Sequence, residues 1–243
     1  MANKRKHDGS DDGPSKFLRS NYNATIRVLV GDCQAPFTVH QDLLCRHSGF
    51  FEKACSGEWK EARERTVRLN ESDATSFQVY LNHLYSPHFD LNQLMCEIVS
   101  GDSPKSTVSN APEVLFQLCK LWSFGDFVQD HDFQNDVIDA MQYNITTALT
   151  AVSPGLMLEW VISNTTSDSP LRKWLALALA PHLKASAHTV TLLDELTGKL
   201  PADFLMDLLK ARAASLPTNT KCASVPGDKC RFHVHPEGTP KCG

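Results

Sequence analysis

Five residues near the end of the chain have side chains suited to holding a metal ion: Cys222, Cys230, His233, His235 and Cys242. They follow the pattern C-x7-C-x2-H-x-H-x6-C. Thiolates and imidazoles are the donors that tetrahedral zinc prefers, and any four of these five suffice to close a site. The spacing is not that of a standard finger, whose ligands stand in close pairs on both sides. The flanking Pro226, Gly227, Pro236, Gly238 and Pro240 suit a metal knuckle and equally a metal-free, solvated tail. Zinc is the one cofactor the sequence offers, and a bare tail is the competing reading.

Signals for catalysis are missing elsewhere in the sequence. It holds no Gly-rich phosphate loop, no HExxH and no GxSxG. Ser48 precedes an apolar helical pattern and has no His or acidic partner at a motif spacing, so it reads as a helix cap and not as a nucleophile. His40 lies between a strand pattern and a helix pattern and reads as a hydrogen-bonded core histidine. The expectation is a protein that is not an enzyme. The surface feature that does suggest work is Trp59-Lys60-Glu61, inside the charged run GEWKEARER. An exposed Trp pairs a large apolar area with a polar tip, which makes it a good anchor for a partner protein, and Glu61 beside it can fix register. The opposing reading folds Trp59 back onto its own helix and leaves Glu61 as a solvated charge.

Composition narrows the class of partner. The 243 residues carry 24 Lys+Arg against 28 Asp+Glu, a net charge of −4, which gives no electrostatic footprint for nucleic acid. The tail cations Lys221, Lys229, Arg231 and Lys241 are too few to change that. Hydrophobic content of 42% and charged content of 21% are ordinary globular values. The polar start lacks the apolar core of a secretory signal, and the apolar run Trp174–Ala180 is too short to span a bilayer. Cys33, Cys45, Cys55, Cys96 and Cys119 are scattered singly, as reduced thiols of an intracellular protein are. Lys4-Arg5-Lys6 reads either as a nuclear-import signal or as part of a solvated tail, so nucleus and cytoplasm both stay open.

The elements that must position these residues follow from periodicity. Residues 1–21 read as a flexible arm. Ile26, Val28 and Val30 alternate with Thr25, Arg27 and Leu29 as a half-buried strand, and after the turn at Gly31-Asp32 a second strand begins at Phe37 and Val39. Leu43, Leu44 and His47, then Phe50, Phe51 and Ala54, take the three- and four-residue spacings of two short helices, the second capped by Ser48. After the polar loop SGEWKEARER, Val67 and Leu69 alternate as a strand. Phe77, Tyr80, Leu81 and Leu84 then line one helix face behind the cap Asp73. Residues 86–111 are irregular, with LNQLMCEIV readable as strand or helix. From Pro112 to about 214 the chain reads as helical, with Ser153 and Ser169 placed to cap helices that start at Pro154 and Pro170.

Strand, strand, two short helices, strand, helix and further helices make an α+β pattern with a small sheet flanked by a helical cluster. The residues that carry this pattern resemble those of a BTB/POZ domain. They are Phe37-Thr-Val-His40, Leu43-Leu44, Ser48-Gly-Phe-Phe51, Trp59-Lys-Glu61, Val67-Arg-Leu69 and Phe77 through Tyr85. LFQLCKLWSFGDFVQDHDFQNDVIDAM is similar to the family's paired terminal helices, with Gly125-Asp126 where Ala-Asp is usual. The insert at 86–111 and the downstream PLRKWL look most like the fungal branch. Members often carry Ser-Asp before the first strand, where this chain has Asn23-Ala24. The resemblance places a BTB/POZ domain at 22–142, followed by an all-α helical extension at 143–215 and a Cys/His/Pro-rich tail at 216–243.

The resemblance implies a homodimer, its first strand and helices exchanged or packed across a two-fold axis, with Ile26, Val28, Phe50 and Phe51 as interface residues. The alternative for these four is that they fill the core of one chain. It also implies that Trp59 and Glu61, in an apolar–any–Glu pattern, meet a cullin-type scaffold. The expected function is therefore a protein-interaction module that homo-oligomerises and recruits partners as a substrate adaptor of a cullin-RING ubiquitin ligase, bringing in protein substrates. The alternative is a non-catalytic structural or transcriptional scaffold acting through the same dimer. No propeller or repeat module for capturing a substrate is visible in the sequence.

Overall fold

A computed structural model of the chain describes residues 24–56, 60–86, 90–91, 93–95, 111–151, 155–183, 190–191, 194, 196–214, 229–236 and 238–239. Strand β1 (Thr25–Val30) turns back into β2 (Ala35–His40) through Gly31, which has a φ of 70° and so takes the left-handed conformation a glycine accepts without strain. The strands pair antiparallel, Thr25 opposite His40 and Val30 opposite Ala35. Helices α1 (Gln41–His47), α2 (Gly49–Cys55) and α3 (Lys60–Glu64) then carry the chain round to β3 (Thr66–Leu69). β3 lies parallel to β1 on its other side, giving a mixed sheet of order β2-β1-β3. A parallel neighbour needs a crossover connection, and β2 with the three short helices supplies it. The fold class is α+β, as the sequence reading expects.

Local chemistry explains most boundaries. Ser48 caps α2 by accepting from Phe51 N, and Asp73 caps α4 (Ala74–Tyr85) by accepting from Ser76 N, both as expected. Ser169 departs from expectation: it precedes helix α8 (Pro170–Leu179) but makes no side-chain cap bond, and Pro170 alone sets the start. Ser153 lies outside the described residues. Within the loop expected at SGEWKEARER the structure has α3, which buries no residue and so carries no apolar periodicity to reveal it. Leu91 and Gln93–Met95 are helical, which resolves that part of LNQLMCEIV against a strand.

Long helices follow. α5 (Ala111–Val128) packs along α6 (His131–Ala151), and α7 (Gly155–Asn164), α8 and α9 (Ala202–Ala214) continue the helical part. At Gly125 the first two come so close that an added Cβ would sit 2.8 Å from Gln134 Cγ and 3.1 Å from a Phe133 ring carbon. One hydrophobic core runs from the sheet (Ile26, Val28, Val67) through Phe51, Phe77 and Tyr80 to Trp122, Phe133 and Trp174. Each such apolar side chain, taken out of water, contributes about 1.5–3 kcal/mol before entropy is counted. Among the described residues no helix is long and apolar enough to cross a membrane.

Candidate interaction surfaces

The first surface is built where α2, α3, β3 and the turn between α5 and α6 meet. Phe50, Lys53, Ala54, Glu61, Val67 and Arg68 line a groove of about 370 Å³, closed on one side by Gln129. Phe50 is there because α2 turns its neighbour Phe51 into the core, leaving Phe50 on the flank. Its ring stacks at 5.0 Å on Phe127 near the end of α5, and Phe127 is 47% exposed. Lys53 Nζ donates to Gln129 Oε1 at 3.1 Å, joining α2 to that turn. Along the rim Glu64 faces Lys60 at 3.7 Å and Arg68 at 3.4 Å. These pairs are solvent-exposed and add little stability, and the groove itself sets one aromatic ring, Phe50, among the charged Lys53, Glu61 and Arg68.

Glu61 stands at the first turn of α3 and lines this groove beside Phe50. Trp59 lies outside the described residues. Ile26, Val28 and Phe51 are core residues of the single chain, 2%, 0% and 0% exposed, so three of the four expected interface residues are already covered by their own chain. His40 differs from the buried histidine expected: it is half-buried, its Nδ1 lies 2.8 Å from the Tyr85 hydroxyl, and it joins the start of α1 to the end of α4. Phe127 was not foreseen, because in the sequence it continues the apolar stripe of α5 and nothing local marks it as the exposed member.

Burial disfavours the thiolate form of the cysteines in this region. Burial pushes Cys45 up from its ordinary value, and it pushes Cys55 up to about 12, with the Cys45–Cys55 contact adding to the shift of Cys55. A reactive cysteine needs the opposite shift.

The second surface lies at the tail. The 3-10 turn Lys229–Phe232 packs against α6 and α8. Phe232 is 3% exposed and borders an apolar groove of about 510 Å³ with Pro170, Ala176, Leu177 and Ala211. Asn135 on α6 makes a reciprocal pair with the backbone of Val234: Nδ2 donates to the carbonyl at 3.1 Å, and Val234 N donates to Oδ1 at 2.7 Å. One helical turn further on, Asp139 Oδ1 lies 3.1 Å from His233 Nε2. Donor atoms of Cys230, His233 and His235 all fall within 4.8 Å of one another. Of the five tail residues singled out in the sequence, these three are thus brought together, and Cys222 and Cys242 lie outside the described residues. Asn135 and Asp139 could not be read from sequence, being 99 and 94 residues from their partners.

The small mixed sheet and its short flanking helices lie within a stretch that matches a known family. Residues 15–100 match the BTB/POZ domain. No curated protein matches the chain. The BTB/POZ domain is a protein-interaction domain. Helices α5 to α9 and the tail lie beyond the matched residues.

Proposed function

We propose that this chain self-associates through a BTB/POZ domain spanning 22–142 and recruits partners as a substrate adaptor of a cullin-RING ubiquitin ligase. The observation that carries the reading is the groove lined by Phe50 and Glu61, with the exposed Phe127 ring 5.0 Å from that of Phe50. Glu61, in the first turn of α3, lines that groove, and it is the Glu of the apolar–any–Glu pattern that begins at Trp59 in the sequence. An aromatic anchor set among charged groups suits a protein interface. Ile26, Val28 and Phe51 would join a dimer interface by exchange of the first strand and helices, in which the covering surface comes from a second copy. Phe50 would join by direct packing.

The helical extension at 143–215 is the part left to meet protein substrates. The insert at 86–111 and the PLRKWL segment favour placement in the fungal branch of the family. Zinc held by four of Cys222, Cys230, His233, His235 and Cys242 belongs to the same reading, as a structural ion in a protein with no catalysis to perform. A second reading is favoured by α9, where Leu205, Met206 and Leu209 are exposed on a helix beyond the BTB/POZ match. That face suits a structural or transcriptional scaffold with no ligase attached. Co-precipitation of a cullin with the full chain separates the two. The adaptor reading expects capture by the wild type and loss with Trp59→Ala or Glu61→Ala at unchanged circular dichroism; capture unchanged in both variants overturns it.

A further inference from the structure

We propose that Cys230, His233 and His235 hold a zinc ion that fastens the C-terminal tail onto α6, with Asp139 as the residue that positions His233. The inference rests on the zinc reading of the tail and adds to it the helix the metal site is built on. The local backbone brings the three donors to one side. Cys230 and His233 are three apart across a turn of 3-10 type, closed by His233 N donating to Cys230 O at 3.3 Å, and residues at that spacing eclipse each other. His235 follows two residues on, in chain of no regular secondary structure, and its donor atom lies within 4.8 Å of the other two. Zinc binds such donors at about 2.0–2.3 Å, so donor atoms within 4.8 Å of one another need only small side-chain rotations to share one ion. One thiolate and two imidazoles select zinc over magnesium or calcium, which require oxygen.

The second observation is the support behind the donors. Histidines that bind metal almost always offer their other ring nitrogen to a carboxylate or carbonyl, which fixes ring orientation and raises basicity. Asp139 takes that part here, 3.1 Å from Nε2, so that Nδ1 is the nitrogen His233 would bring to the ion. Asn135, four residues earlier on the same face of α6, clamps the Val234 backbone between the two histidines. Phe232, buried between α8 and α9, anchors the tail and accounts for its path. It does not account for a thiol and two imidazoles converging beside a carboxylate. A shared metal does.

The test uses the full chain. Zinc content is measured by elemental analysis after dialysis against zinc, affinity by competition with a chromophoric chelator, and tail protection by hydrogen exchange of residues 229–236. The wild type is expected to retain about one zinc per chain, and Cys230→Ser and His233→Ala to lose it with their helical circular dichroism intact. Asp139→Asn, which keeps shape and removes charge, is expected to weaken zinc binding 10- to 100-fold. Removing zinc from the wild type is expected to speed exchange in the tail. A wild type that retains no zinc overturns the metal reading itself. Zinc bound equally by wild type and Asp139→Asn, with tail exchange indifferent to chelation, leaves the metal in place and overturns the fastening to α6.

Discussion

Tyr80 donates its hydroxyl to Asp130 Oδ2 at 2.9 Å inside the core, joining α4 to the residue that opens α6. Asp130 is 2% exposed, and its other oxygen accepts from Phe133 N at 3.0 Å, the bond of a helix cap. A buried carboxylate is tolerated only when its lone pairs are met, and here one tyrosine and one helix terminus meet them. Tyr80→Phe keeps the ring contacts with Phe124 and Phe133 but removes the donor. Loss of a hydrogen bond to a charged, buried acceptor costs about 1.5–3 kcal/mol. Urea denaturation is expected to show that loss as a lower midpoint at unchanged slope; a midpoint equal to the wild type would mean that Asp130 draws its stability from the cap alone.

The same pair contributes to the loss of stability at alkaline pH. Burial pushes the Tyr80 phenol far above its ordinary value of 10.0, and the neighbouring Asp130 charge pushes it further. Above that value the unfolded chain releases the proton while the native chain keeps it, so the native state binds more protons and stability falls as pH rises. For one such group the slope approaches about 1.4 kcal/mol per pH unit. Cys55 and Cys119, both raised by burial, tilt the curve in the same direction, so the informative quantity is the difference between variants. Tyr80→Phe is less stable at pH 8, and its deficit is expected to shrink between pH 10 and 11. A deficit constant across that range would show that Tyr80 ionises normally in the native state.

How much of this was legible in the sequence depends on range. Ser48 and Asp73 are recognisable as caps because their partners stand three residues away. The alternation of Ile26, Val28 and Val30 marks a strand because each residue alone reports which face it occupies. That β3 runs parallel to β1, or that Val28 sits opposite Val67, depends on a crossover whose geometry no local pattern encodes. Cys230, His233 and His235 stand out in the sequence as candidate donors by residue type, whereas Asn135 and Asp139 are ordinary polar residues on an amphipathic helix until the tail returns to them. Ile26, Val28 and Phe51 mark the opposite difficulty. An apolar residue in a sequence looks the same whether its own chain covers it or a second copy does.

Phe127 offers a way to perturb partner contact without perturbing the fold. It is 47% exposed and touches Phe50 and Phe124 at ring distances of 5.0 and 6.4 Å. Substitutions at exposed positions usually change stability by less than about 0.5 kcal/mol, whereas an aromatic anchor in an interface is worth 2 kcal/mol or more. Phe127→Ser is therefore expected to keep the wild-type melting temperature within a few degrees and to weaken self-association at least about 30-fold. Sedimentation equilibrium at tens of micromolar is the measurement, with a wild-type dimer as its baseline. A wild type that sediments as a monomer removes the homodimer, and a variant that dimerises as tightly as the wild type removes Phe127 from the interface.

Four of the five described cysteines, those outside the tail, should label in an order set by burial and proton affinity. Cys33 lies exposed in the β1–β2 turn. Cys45 and Cys55 are half-buried, and their thiols are held protonated by desolvation, Cys55 at about 12. Cys119 is fully buried on α5, with its thiol pushed up further for the same reason. Since only the thiolate attacks an alkylating agent, rates should follow Cys33 first, then Cys45 and Cys55, with Cys119 silent until the chain unfolds. Iodoacetamide at pH 8 with peptide mass spectrometry reads this directly. Modification of Cys119 at the rate of Cys33 in native buffer would mean that α5 opens locally at low cost, and with it the seam against α6 that joins the sheet's core to the rest of the helices.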